Sequence, residues 1–82
     1  LLIAEVLSDS TERNDRAEKF TAYKSIPELQ EYVLIAQDVP QVEVFRRRNA
    51  WQLETFFMND TITLESVALT LPVTQLYRRI AF

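Results

Sequence analysis

Glu5 interrupts an apolar run, Leu1-Leu2-Ile3-Ala4-Glu5-Val6-Leu7, that reads as a fully buried strand. A carboxylate in such a strand is costly unless a cation or hydrogen-bond donors meet it. Past a polar turn, Lys19 follows on a short predicted helix. A buried strand carboxylate with a Lys nearby is the skeleton of a metal-dependent phosphodiesterase site. There, carboxylates hold Mg²⁺ against the scissile phosphate, and a cation stabilises developing charge or orients the attacking water. Plainer readings stand beside this one. Glu5 could be solvated at a strand end or paired with an Arg. Lys19 could be an exposed helix residue paired with Asp15 at i,i+4, worth about 0.3–0.5 kcal/mol. Asp15 itself reads as the helix N-cap.

Other residues could meet a nucleic acid. The hydroxyls of Ser8, Ser10 and Thr11 follow the Glu5 strand and could touch a phosphate or the helix N-terminus, although turns expect such residues too. Arg46-Arg47-Arg48 is a basic run beside a hairpin, where phosphate contact competes with a solvated strand end that discourages edge pairing. Strand alternation sends Arg46 and Arg48 to one face and Arg47 to the other. Trp51 and Phe57 read as core, and Phe56 as facing the other side toward a partner. Arg78-Arg79 carries less information.

The elements that must hold these residues follow from pattern and punctuation. Residues 1–7 form a first strand and Ser8 to Asn14 a polar turn. Asp15 with Glu18 fits a capping box, so a helix starts there and runs to about Ser25, with Ala17, Phe20 and Tyr23 on one side. Pro27 ends it. Glu31 to Ala36 is a second, central strand. Asp38-Val39-Pro40 is a turn. Val42 to Arg48 is a third strand, with Val42 and Val44 on one face. Asn49-Ala50 forms a two-residue hairpin turn, since Asn tolerates positive φ. Trp51 to Phe57 is the fourth strand, with Trp51, Leu53 and Phe57 on one face. Asn59-Asp60 turns again, Ile62 and Leu64 mark a short fifth strand, and Thr74 to Arg79 is a terminal helical turn after Pro72. The chain has no Gly, so its turns rely on Asn, Asp, Ser and Pro.

Composition narrows the chemistry. Eighty-two residues make one small domain or part of one, and a chain of this size buries only about 60% of its unfolded surface. With 48% hydrophobic residues it is globular. A net charge of -3 argues against a strong sequence-independent grip on DNA. There is no Cys and no His. That removes disulfides, Ser-His and Cys-His nucleophile chemistry, and zinc sites of the usual type. Any metal must be held by oxygen, which points to Mg²⁺ or Mn²⁺. No apolar run reaches the roughly 18–20 residues of a membrane span, and no signal-peptide pattern is visible, so a cytoplasmic location is expected.

A set of motifs, taken together, is more specific than any one of them. They are Glu5-Val6-Leu7-Ser8 with Ser10-Thr11, Asp15-Arg16, Glu18-Lys19-Phe20 and Tyr23. They continue through Ile26-Pro27, the stretch from Leu29 to Ile35, Val42-Glu43-Val44 and Leu69-Thr70-Leu71-Pro72. Along them the chain resembles the restriction-endonuclease family greatly expanded in cyanobacteria, within the PD-(D/E)XK nuclease superfamily. The match is to that family's C-terminal half. Three departures stand out: Asp9 replaces the usual Pro, Ala17 replaces the usual Gly, and the family's upstream Pro-Asp motif does not occur in the sequence. Leu7 also stands where the superfamily's Glu-x-Lys pattern has Lys.

The resemblance implies an α/β (α+β) fold: a restriction-endonuclease-like mixed sheet with a flanking helix, here its second half, spanning 1–82. It implies a Mg²⁺- or Mn²⁺-dependent DNA endonuclease that hydrolyses a phosphodiester with activated water. Glu5 would be a catalytic metal ligand and Lys19 the catalytic cation, with an upstream Asp as the other ligand and DNA as the partner. The isolated chain is then expected to bind Mg²⁺ or Mn²⁺ weakly and to cleave no DNA. An open apolar strand edge would make it poorly stable or self-associating, with a homodimer as the simplest form. Two alternatives remain: an inactive remnant of such a nuclease, and a small interaction module in which Glu5 and Lys19 form a structural ion pair.

Overall fold

After Glu31, the run Tyr32–Ala36 contains no charged residue, which suits a strand covered on both faces. In the computed structural model, which describes residues 1–7, 18–37 and 39–79, that strand is β2 (Glu31–Ala36), buried along its whole length. It lies inside a four-stranded sheet of order β1-β2-β3-β4. β1 (Leu2–Leu7) runs parallel to β2, and β3 (Gln41–Arg46) runs antiparallel on the other side. β4 (Leu53–Phe57) closes the far margin, antiparallel to β3. A parallel pair needs a crossover, and the chain between β1 and β2 includes α1, helical over residues 18–23. A second sheet pairs β5 (Thr61–Leu64) with β6 (Leu69–Pro72), and α2 (Val73–Arg79) follows. This is the mixed α+β arrangement expected from the sequence, consistent with a restriction-endonuclease-like fold. No helix among the described residues is long and apolar enough to cross a membrane.

Alternation along the strands divides the core in two. On one face, Val33 and Ile35 with Val42 and Val44 meet Ile62, Leu64, Leu71 and Val73 from the second sheet and α2. On the other, Leu7, Tyr32 and Leu34 meet Phe20 and Tyr23 of α1, together with Phe45 and Trp51. Phe20 is the anchor of the helix. Its ring stacks on Tyr32 at 4.9 Å, and it lies 4.6 Å from Phe45 and 5.5 Å from Trp51. Each such pair adds about 0.5–1.5 kcal/mol beyond simple burial. The expected side of the helix, Phe20 with Tyr23, is thus the side that docks.

Four expectations need correction. β1 lies at the margin of the sheet, so only Leu7 is fully buried and Ala4 is exposed. β3 ends at Arg46, because Arg47–Asn49 turns into a short 3₁₀ segment. The alternation expected across the three arginines therefore stops at the first. The hairpin is wider than two residues, and positive φ falls on Ala50 (62°) and Trp51 (61°) rather than on Asn49. Asn49 instead uses its side chain, accepting from the Gln52 amide at Oδ1 and donating to Glu54. With the register fixed by this longer loop, Phe56 packs on the first core while Leu53 and Phe57 are exposed, the reverse of the expected facing. Without Gly, the chain holds Ala and Trp in the left-handed region at a cost of roughly 1–2 kcal/mol per residue.

Candidate functional site

Glu5 lies on the α1 face of β1, between Ile3 and Leu7, with Leu34 as its Cα partner on β2. Two tyrosines reach its carboxylate. Tyr32, from β2, donates its Oη–H to Oε2 at 2.7 Å. Tyr23, from α1, donates to Oε1 at 3.3 Å. The first is a hydrogen bond of ordinary length and the second a long one. Their rings meet edge to face at 5.4 Å, so the two donors brace one another. The half-buried carboxylate is thus met by donors, as its position in an apolar strand requires.

Lys19 is exposed on α1. It stands four residues before Tyr23, and residues so spaced share a helix face with Cβ atoms about 5–6 Å apart. The stripe of α1 that delivers Tyr23 to Glu5 therefore carries Lys19 one turn earlier. Among the ion pairs of the described residues, none joins Lys19 to Glu5. Lys24 is engaged elsewhere, its Nζ 4.5 Å above the Phe20 ring. Asp15, Ser8, Ser10 and Thr11 lie outside the described residues.

The arginine run has three different fates. Arg46 is buried at 3% exposure and pairs with Glu31, itself 2% exposed. The two are Cα partners across β2 and β3. Glu31 also accepts from the Ser66 amide at 2.7 Å, the Ser66 hydroxyl at 2.6 Å and the Glu65 amide at 3.0 Å. Arg46 donates through Nε to Glu54 at 3.2 Å. Neither reading of Arg46 as a surface residue holds, because its strand position faces the second sheet. Arg47 turns back over the end of α1 and donates to the carbonyls of Leu29 and Ile26, both at 2.7 Å, and of Lys24 at 3.3 Å. Its guanidinium lies 4.9 Å from the Trp51 ring centroid. These three carbonyls belong to the segment that follows α1, so Arg47 ties the stretch between Tyr23 and β2 to the end of β3. Arg48 alone is exposed, pairing with Glu65 at 2.5 Å. That hydrogen bond and charge hold the Glu65 carboxyl below its ordinary value of 4.5. Gln30, Glu31, Arg46, Arg48, Glu65 and Ser66 line an open cleft of about 220 Å³.

The oxygen chemistry of Glu5 fits one wall of a Mg²⁺ or Mn²⁺ site. Such ions take few protein carboxylates and fill the rest of their shell with water and phosphate oxygens. Among the described residues, no three acidic side chains gather to form a fuller cage. Residue type and spacing point to Glu5 and Lys19 but not to the phenols that meet the former, nor to Glu31. Tyr23 and Tyr32 were visible as aromatic positions on the inward faces of a helix and a strand. Their hydroxyl targets depended on the parallel register of β1 on β2, which no local pattern encodes.

A family model described as "Putative restriction endonuclease", Uma2, matches residues 1–74. The chain is 34% identical to the uncharacterized protein slr1290 of Synechocystis sp., over 99% of this chain and 44% of that protein. It is 50% identical to the uncharacterized protein sll1609 of the same organism, over 56% of this chain and 26% of that protein. The chain thus spans less than half the length of the curated relatives it matches. No solved structure matches it significantly.

Proposed function

The chain belongs to the Uma2 family of restriction-endonuclease-like proteins, and from that premise we propose that it forms part of a Mg²⁺- or Mn²⁺-dependent DNA endonuclease. The observation that carries the reading is Glu5: a half-buried strand carboxylate gripped at both oxygens, beneath a helix whose same face bears a Lys. In this reading Glu5 is a ligand of the metal. The bound ion supplies charge neutralisation and polarisation at the scissile phosphate. Lys19, one turn from Tyr23, offsets negative charge growing on the phosphate oxygens or orients the attacking water. The overall charge of -3 gives no broad electrostatic grip on DNA, so substrate binding depends on local contacts and on the ion.

The test uses the protein at the length its gene encodes, a supercoiled plasmid, and Mg²⁺ or Mn²⁺. Glu5→Gln and Lys19→Ala are each expected to slow single-turnover cleavage by roughly 10²–10³-fold. Lys24→Ala, which removes a cation held over Phe20, should leave the rate near wild type. Undiminished nicking by Glu5→Gln would overturn the reading, and undiminished nicking by Lys19→Ala would remove Lys19 from it.

A further inference from the structure

We propose that Tyr32, assisted by Tyr23, is a positioning residue that fixes the plane of the Glu5 carboxylate for metal binding. The inference rests on the reading of Glu5 as a ligand and adds to it the residues that set its geometry. A Glu side chain ends in a torsion that is broad and roughly two-fold, so the plane of an unrestrained carboxylate wanders. Here each oxygen meets its own phenol, Oε2 that of Tyr32 and Oε1 that of Tyr23. The two donors come from different elements, the central strand and the crossover helix. Together they restrain that torsion.

The donors are themselves held. Tyr32 is fully buried, and its ring is packed against Phe20, Tyr23 and Phe45 at 4.9, 5.4 and 6.3 Å. Its hydroxyl therefore has little freedom. A buried Tyr needs some partner for its O–H, and a backbone carbonyl would serve if satisfaction were the whole purpose. Half-buried Tyr77 is satisfied in that way: its hydroxyl is tied to backbone groups of Ala36, Val39 and Gln41. Tyr32 and Tyr23 instead converge on one carboxylate. A phenol donates without bringing charge, and a carboxylate oxygen has two lone pairs. Such an oxygen accepts a phenolic proton and ligates a cation at the same time. Partners that orient a metal ligand typically set affinity by about 10–100-fold.

Titration calorimetry with Mn²⁺, on the protein at its gene-encoded length, tests this. Tyr32→Phe keeps the ring and deletes the donor, and is expected to weaken Mn²⁺ binding about tenfold. Tyr23→Phe, which removes the longer bond, should weaken it less. Tyr77→Phe should leave it unchanged. In cleavage assays, Tyr32→Phe should raise the Mg²⁺ concentration giving half-maximal rate while the rate at saturating Mg²⁺ stays close to wild type. Wild-type affinity in both Tyr23→Phe and Tyr32→Phe, alongside lost binding in Glu5→Gln, would overturn the positioning role and leave Glu5 a ligand. Unchanged Mn²⁺ binding in Glu5→Gln would overturn the underlying reading instead. Equal weakening by Tyr77→Phe would show a general effect of lost core hydrogen bonds and would also overturn the proposal. If Tyr32→Phe proves too unstable to titrate, Tyr23→Phe decides, since its ring is only half-buried.

Discussion

Two strand carboxylates on adjacent strands of one sheet are treated in opposite ways. Glu31 is sealed on the side of the second sheet, where a guanidinium, a hydroxyl and two backbone amides surround it. Glu5, on the α1 side, is half-buried and aimed by two phenols. The charge of Glu31 is cancelled within its own cage by Arg46, and its acceptor sites are directed at the segment joining β5 to β6. It ties the two sheets together. The phenols at Glu5 fix direction and bring no charge. Glu31, enclosed with a cation, is thus a fastening, while the two phenols on Glu5 set the direction of its carboxylate. Position in sequence does not distinguish them, since each is an acidic residue beside an apolar run.

The same substitution at the two sites puts this contrast to the test. Glu31→Gln turns an acceptor oxygen into a donor facing other donors and leaves buried Arg46 with Glu54 as its remaining acidic partner. Breaking one side of a buried pair costs about 3–5 kcal/mol, against a total of roughly 0.05–0.15 kcal/mol per residue for ordinary domains. A urea melt should therefore find the midpoint of this variant far below that of wild type. Glu5→Gln keeps an oxygen for a phenol to donate to, and should cost about 1 kcal/mol or less. Similar losses at both positions would erase the distinction.

The exposed pair Arg48–Glu65, at the rim of the Glu31 cleft, should matter least. Arg48 lowers the Glu65 carboxyl in the folded state, chiefly through their hydrogen bond. A depressed acid contributes stability above its ordinary value of 4.5, and that contribution is lost as pH falls through the lowered folded value. The melting midpoints of wild type and Glu65→Gln should therefore differ slightly at about pH 6 and converge as the pH falls well below 4.5, with added salt shrinking the gap. A gap that widened in acid would show that Glu65 acts by some other route.

What could be read from sequence, and what could not, follows the range of the interactions. β2 was legible because Tyr32–Ala36 carries its own apolar signature, and the docking side of α1 because Phe20 and Tyr23 share a helical face. α2 was marked by Pro72. The partner of Arg46 was not legible: it depends on Arg46 lying opposite Glu31, which the number of residues between β2 and β3 decides. The facing of Phe56 and Phe57 was inverted for a similar reason. The 3₁₀ segment at Arg47–Asn49 and the left-handed pair Ala50-Trp51 lengthen the loop, and a one-residue slip in a strand swaps its faces. β6 escaped notice because four residues with one buried side chain carry little pattern. At the site, Glu5 was visible as an anomaly, but its phenols required the parallel register of β1 on β2.

That parallel register also has a kinetic side. Phe45 finds Leu53 across a short loop, and Ile35 finds Val42 across another, so the β2-β3-β4 meander closes cheaply. Leu2 must find Glu31 across the whole crossover, and the entropy of closing a loop grows with its length. The meander should therefore nucleate folding, with β1 docking after the rate-limiting barrier, so Val6→Ala should give a φ-value near zero and Val44→Ala a substantially higher one. A φ-value for Val6 near one would reverse that order. On this ordering Glu5 reaches its place after Glu31, and the carboxylate meets Tyr32 only when the rest of its sheet already stands.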